Sequence, residues 1–326
     1  MCYSAMVEQD AKKYGLRYKA RVQTDLYDDL FRRRAEGEKL LINKAMELPF
    51  LTEPANPTER RIAESIRAWR KGQIQKFETL LFEQKTRLTE ATRKLETKPT
   101  KKAETDKRVA TNKIETAKRK IKEIESPELS DTDLRIFPFH YMSMVHLDGR
   151  GEKVVSPVRY HMRPHDEDAS FDKEKDGCYN ARFDNLKRVS FWKDSLSTRR
   201  GFILVKKFYE NVPVEKYLRH NKLGPEHQGK KNIVLCFDPK LPDYMILPTV
   251  WDDWSGPGEP SFRSAALITD DPHPEVEAAG HDRTPIPLNE SAAEAWLHAA
   301  SIDEALTILK EERERPYFSH LVMGAA

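Results

Sequence analysis

Long apolar runs are missing from this chain, as are a disulfide framework and a dominant sign of charge. No stretch approaches the ~18 consecutive apolar residues of a membrane span, and the N-terminus lacks the apolar core of a signal peptide. The three cysteines, Cys2, Cys178 and Cys236, are odd in number and share no metal-ligand spacing. That pattern argues against a secreted disulfide scaffold and for a reduced, cytoplasmic setting. Lys and Arg number 56 against 53 Asp and Glu, a net charge of +3. Bulk charge therefore does not announce a nucleic-acid binder, and any basic surface must be local. His140, His146, His161 and His165 are scattered through strand-like and turn-like sequence, so no metal site and no cofactor are expected.

What is present divides the chain in three. With 38% hydrophobic and 33% charged residues over 326 positions, one core is affordable if part of the chain is an exposed, charged helix. Residues 1–51 read as a short strand followed by helix-rich sequence, closed by the proline-marked stretch LTEPANPTERR. Residues 52–130 form an insertion in which glycine nearly vanishes. Ile74, Leu81, Leu88 and Leu95 recur every seven residues, with Phe77, Gln84 and Ala91 interleaved. After the breaker TKPTK, Ala103, Ala110, Ala117 and Ile124 repeat the spacing, with Ile114 and Ile121 between them. The pattern predicts an antiparallel helical hairpin whose second arm packs small residues against larger ones. Such a hairpin buries its own seam, so a monomer is expected. Its charges solvate the exposed faces on the simplest reading. The basic stretches KKAETDKR and AKRKIK also suit a lever for nucleic acid or for a replication or repair protein.

Residues 131–326 alternate short apolar runs (FHYMSMVHL, GFILVKKFY, NIVLCF, SAALIT) with turns such as LDGRGE and SGPGEP. This predicts a mainly antiparallel, strand-rich domain. Residues 290–310 carry apolar residues at helical spacing. The fold class expected is α+β, one domain with peripheral helices interrupted by the long hairpin.

Cys2 carries the most distinctive chemistry. If Met1 is trimmed, one residue offers a free α-amine, with a pKa near ~8, beside a thiol near ~8.5. Such a 1,2-aminothiol condenses with an aldehyde: the amine gives an imine, and the thiol then closes a five-membered thiazolidine ring. The same residue would suit an N-terminal-nucleophile hydrolase, with the amine as base for the thiol. A third reading is a coiled-coil binding module without catalysis.

Three later stretches follow in order: CYNARFDNL with Asn180 and Arg182, FILVKKFYENV with Glu210, and AGHDRTPIPL with His281 and Arg283. Together with Cys2 they resemble the SRAP family, the SOS-response-associated peptidases that recognise abasic sites in single-stranded DNA. SPVRYHMRP, with Arg159 and Tyr160, is similar to the family's Arg-Trp-Gly segment, and PTVWDDW with SAALIT to the strand pair before HDRxP. The resemblance implies a thiazolidine link from Cys2 to the opened abasic sugar, with Asn180 positioning the amine. Glu210 would shuttle protons and His281 would act as a second acid or base. It further implies that Arg182, Arg283, Arg159 and Tyr160 contact DNA, that the protein acts near the nucleoid, and that it removes its own N-terminal residue. The chain departs from the family at Lys207, Asn211 and His161, where a Gly, an aromatic and a Gly are usual. Tyr160, Trp192 and Trp251 are candidate surfaces for base stacking, although isolated aromatics in strands are more often core.

Overall fold

The computed structural model describes residues 4–174, 178–227, 229–241 and 243–325. Cys2 falls outside the described residues. The chain resolves into two compact units. One takes in residues up to Tyr27, Leu40–Glu53 and Ser130 onward; the other takes in Asp28–Lys39 and Pro54–Leu129.

The first unit is built on a twelve-stranded sheet. In chain order its strands are β1 (Ser4–Val7), β2 (Arg21–Val22), β3 (Arg135–Ile136), β4 (Tyr141–Leu147), β5 (Lys153–Tyr160) and β6 (Asn180–Arg182). Then come β7 (Arg200–Pro213), β8 (Asn232–Pro239), β9 (Met245–Gly256), β10 (Glu259–Asp270), β11 (Thr284–Pro285) and β12 (Phe318–Ala325). Most pairings are antiparallel, as the short hairpin turns between apolar runs require. β10 meets β5 and β6 in parallel, and β2 meets β5 in parallel.

The ladder pairings β10–β5–β4–β7–β9–β10 close on themselves. β7 belongs to two neighbourhoods. Its first half, to Val205, pairs with β4 and β9, whereas its second half pairs with β1 and β8. Because both faces of these strands are covered, their residues are buried in continuous runs rather than alternately; β5 is buried from Val154 to Tyr160. The main core gathers Phe208, Val212, Phe237, Phe318, Tyr160 and Trp251 with their aliphatic neighbours. Phe208 stacks on Phe237 at 4.8 Å between centroids and meets the edge of Phe318 at 5.3 Å.

Residues 290–310 are two helices, Glu290–His298 and Ile302–Glu311, rather than one. Ser301 caps the second: its hydroxyl accepts from Glu304 N at 3.1 Å, and Glu304 Oε2 accepts from Ala300 N at 2.7 Å. The Ser301 cap, with Glu304 holding the peptide N–H just before it, fixes a helix start in the middle of the apolar periodicity.

The second unit contains the hairpin, with helices Pro57–Thr97 and Lys101–Glu125. Pro57 sits at the first helical position and Asn56 caps it, its side chain accepting from Glu59 N. Gln84, Ala91, Ala103, Ala110, Ile114 and Ala117 are buried, so the heptad positions face the seam. Asp28–Lys39 joins this unit through Arg34, whose buried guanidinium lies 4.0 Å over the Trp69 ring and 5.1 Å from Phe31. No helix among the described residues is long and apolar enough to cross a membrane.

Candidate active site

β1 runs between β7 and β3. Ser4 stands opposite Tyr209 and Ala5 opposite Phe208, while on the other side Ala5 stands opposite Ile136. Arg135 clamps this first described residue in place. Its Nε donates to Ser4 Oγ at 2.7 Å, and its guanidinium lies 3.8 Å over the Tyr209 ring and 4.8 Å over Phe137. The start of the described chain is thus fixed beside the residue that precedes Glu210.

Glu210 shares the strand face of Phe208 and Val212, since alternate residues point the same way. That face is the main core, so a carboxylate is aimed into an apolar environment, and Glu210 is 1% exposed. Burial without a partner would be prohibitive for the charged form. The partner is His281, whose Nε2 lies 3.1 Å from Glu210 Oε2. The other ring nitrogen, Nδ1, is 3.1 Å from the carbonyl oxygen of Arg283. A carbonyl can only accept, so Nδ1 carries a proton. The Nε2 to Oε2 contact then holds one further proton, and it exists either as imidazolium with carboxylate or as neutral imidazole with carboxylic acid. In both forms the pair can give or take a proton at a fixed place.

His281 is delivered by a helix end. The helix Pro274–Ala278 closes with Gly280 at φ +90°. His281 N donates to Val276 O at 3.2 Å and Gly280 N to Glu277 O at 2.8 Å. These two bonds, with a left-handed glycine, are a Schellman motif. Gly280 is required twice over, because a Cβ there would also stand 3.0 Å from the backbone of Lys216 and Tyr217. Lys216 and Tyr217 belong to the helical turn Val214–Tyr217 that directly follows β7. The Asn221 side-chain amide joins the two pieces, donating to Tyr217 O at 3.1 Å and to Ala278 O at 2.7 Å. Gly280, Asn221 and Arg135 escaped the sequence reading. Only Gly280 left a signal, a glycine after a short helix that opens on Pro274, with a further proline beyond it.

The structure disposes the other predicted residues differently. Asn180 opens β6 and is buried; β6 lies parallel to the end of β10, with Asn180 opposite Leu267 and Arg182 opposite Thr269. β11, three residues after His281, pairs with that same end of β10 through Thr269 and Asp270. Asn180 and the HDRTP segment are therefore carried on one strand terminus. Arg182 is half-exposed and donates from Nε to Asp184 Oδ1 at 2.7 Å. The Arg283 side chain is largely buried, 14% exposed, with Nε 3.9 Å from Asp282.

Arg159 and Tyr160 are both buried. Arg159 donates to both oxygens of Asp172, at 2.7 and 2.9 Å, and to His161 O, and it lies over the Phe262 ring. Arg163 is bonded to the same carboxylate. Burial alone would raise the Asp172 carboxyl, but His161 and these two arginines hold it far below the carboxylate range. Tyr160 is fully buried, its ring edge-on to Tyr179 at 5.6 Å. Adjacent strand residues point to opposite faces, and at this position both faces are covered. Trp192 and Trp251 are buried as well. His161, where the family usually has Gly, adopts φ +137° and stacks on Phe139, itself at φ +73°, at 4.4 Å. Both carry backbone strain that a glycine would avoid. Among the described residues no group of three or more His, Cys, Asp or Glu could hold a metal ion.

Among curated proteins none matches the chain. Solved structures of a Bacteroides thetaiotaomicron protein and a Bordetella bronchiseptica protein are similar at 15% and 16% identity, each with a TM-score of 0.45. They cover 58% and 61% of this chain, and 77% and 89% of their own. A phage-related protein of Bordetella bronchiseptica is similar at 17% identity and a TM-score of 0.43, covering 58% of this chain and 81% of its own. The model of the SOS response associated peptidase family, SRAP, matches residues 90–323. That match contains Asn180, Glu210 and His281 and begins beyond Cys2. Spanning well over half of the sequence, it shows that the chain belongs to the SRAP family, whose role is tied to DNA damage.

Proposed function

We propose that the protein captures abasic sites in single-stranded DNA by a covalent link to Cys2, exposed once Met1 is removed. The observation that carries this reading is the Glu210/His281 proton-sharing pair beside the strand that begins at Ser4. Two residues of chain span at most about 7 Å, so Cys2 is tethered within that reach of Ser4.

The chemistry follows from the groups. The Cys2 α-amine adds to the C1 aldehyde of the ring-opened sugar and forms a carbinolamine. Loss of water from that carbinolamine needs a proton on the departing hydroxyl, which the acid form of the pair supplies. The Cys2 sulfur then adds to the imine carbon, and a five-membered ring results. One water is released overall. The proton held between Glu210 and His281 passes to the departing hydroxyl, and the pair takes a proton back from the incoming thiol. In this reading Asn180 orients the amine or the sugar, and Arg182 and Arg283 meet phosphates. The peptidase in the family name fits a self-cleavage that frees Cys2, and the protein works where single-stranded DNA is exposed, in the cytoplasm at the nucleoid.

An oligonucleotide bearing one abasic site, mixed with the protein and run on a denaturing gel, tests the reading. The expected result is a shifted band that vanishes in Cys2→Ser. A band of undiminished strength in Cys2→Ser, or an intact mass that retains Met1 in crosslinking protein, sinks it.

A further inference from the structure

The two units carry opposite charge. The hairpin unit holds 24 Lys and Arg against 16 Asp and Glu, a net of +8, whereas the remainder holds 32 against 37, a net of −5. The near-neutral total hides this partition. Nor is the excess spread along the hairpin. Residues 65–77 contain Arg67, Arg70, Lys71 and Lys76 and no acidic residue; residues 116–122 contain Lys118, Arg119, Lys120 and Lys122 and no acidic residue. The distal stretch between them, residues 78–115, has ten basic against seven acidic residues.

The fold brings the two basic segments together. Arg87 and Asp106 meet across the arms at 2.6 Å, and in an antiparallel pair that register carries residues 71–76 beside residues 117–122. The seam between them is filled by Ala117 and by half-buried Ile74, so the cations project outward. Arg67, Lys71, Lys76, Lys118 and Lys122 are exposed, and none has an ion pair among the described residues. Arg119 and Lys120 share Glu123, and the other five cations, within about 14 Å of paired helix at ~1.5 Å per residue, form a net positive field.

We infer that this hairpin root is a sequence-independent binding surface for the phosphate backbone of DNA. The occupant follows from the chemistry: four exposed lysines and Arg67, none with an ion pair among the described residues, suit phosphates, whose contacts carry no base sequence. The arrangement supplies what the −5 unit lacks, long-range attraction for a polyanion, and it does not depend on the thiazolidine chemistry.

The test uses the full chain carrying Cys2→Ser, so that covalent capture cannot contribute, with an undamaged single-stranded oligonucleotide followed by fluorescence anisotropy across a salt series. Charge reversal at Lys71, Lys76, Lys118 and Lys122 to Glu is expected to make the slope of log affinity on log salt less negative by about 3, from ~0.7 per phosphate contact. A control reversing Lys85, Lys101, Lys107 and Lys113, with the same net charge, is expected to leave most of the slope in place. Circular dichroism checks that both variants keep their helix. Equal losses in the two variants, no loss in either, or displacement of the DNA by polyglutamate at equal charge concentration would each overturn the proposal, the last in favour of an acidic protein partner.

Discussion

Charged residues do opposite work in the two units. In the sheet unit the charges at the candidate site and beneath β5 are buried and held by fixed bonds: Glu210 against His281, and Asp172 between Arg159 and Arg163. In the hairpin most are exposed and held by surface contacts such as Arg119 with Glu123. A buried charge left without its partner costs several kcal/mol, whereas an exposed pair contributes little and is screened by salt. The first unit thus holds buried protons at fixed positions, and the second offers a diffuse field that tolerates rearrangement. The contrast predicts that single substitutions decide function in the sheet unit, and that only grouped ones matter in the hairpin.

The largest effect belongs to Glu210. Glu210→Gln keeps the shape and removes the shared proton, so the crosslinking rate should fall by about 10²- to 10⁴-fold, the usual contribution of a positioned acid or base. Arg119→Gln in the hairpin should leave the same rate within a factor of two. Time courses on the abasic oligonucleotide measure both, and equal rates for Glu210→Gln and the parent would remove Glu210 from the mechanism. Acid offers a second contrast. Burial, and next the Arg263 guanidinium, pushes the His146 imidazole down to about 3. Its Nε2 accepts from Ser156 and Arg263 while Nδ1 donates to Leu147 O. A histidine depressed below its unfolded value of about 6.5 is neutral in the fold, so its contribution is intact above that pH and is lost as pH falls from ~6.5 towards 3, at up to about 1.4 kcal/mol per unit. The hairpin unit contains no histidine. Denaturant midpoints of the sheet signal should drop across that window, and His146→Gln should flatten the drop. A parallel fall in the variant would assign acid sensitivity elsewhere.

Much of this contrast was legible in the sequence. The heptads at Ile74, Leu81 and Ala110 gave the hairpin because a period of seven survives without tertiary help. The apolar runs of β4, β7, β8 and β10 were visible for a similar reason. The order of Asn180, Glu210 and His281 pointed to one site, and the fold sets Glu210 against His281. Burial was harder to read. Arg159 and Tyr160 belong to a motif-like segment, but a sequence does not say that both faces of β5 are covered. The break at Ser301 lay within an unbroken apolar period, and only the S-x-x-E spacing marked it. Arg34 joined the hairpin unit through Trp69, a contact between residues 35 positions apart that no local pattern encodes.

Two glycines give the smallest effects and the cleanest opposition. Gly280 holds φ +90° with backbone atoms 3.0 Å from where a Cβ would stand. Gly280→Ala should cost about 1–2 kcal/mol from the left-handed backbone alone, and it should slow crosslinking because His281 hangs on the next peptide. Gly72 lies inside the helix Pro57–Thr97, where a Cβ would meet nothing within 4 Å. Alanine there removes unfolded-state freedom and clashes with nothing, so Gly72→Ala should stabilise the helix by roughly 0.5–1 kcal/mol. Amide exchange around Gly72 should slow by about two- to five-fold, with crosslinking unchanged. Faster exchange in Gly72→Ala would mean that the hairpin root needs the flexibility of glycine, and the view of this unit as a regular arm whose charges act only in groups would fail at its base.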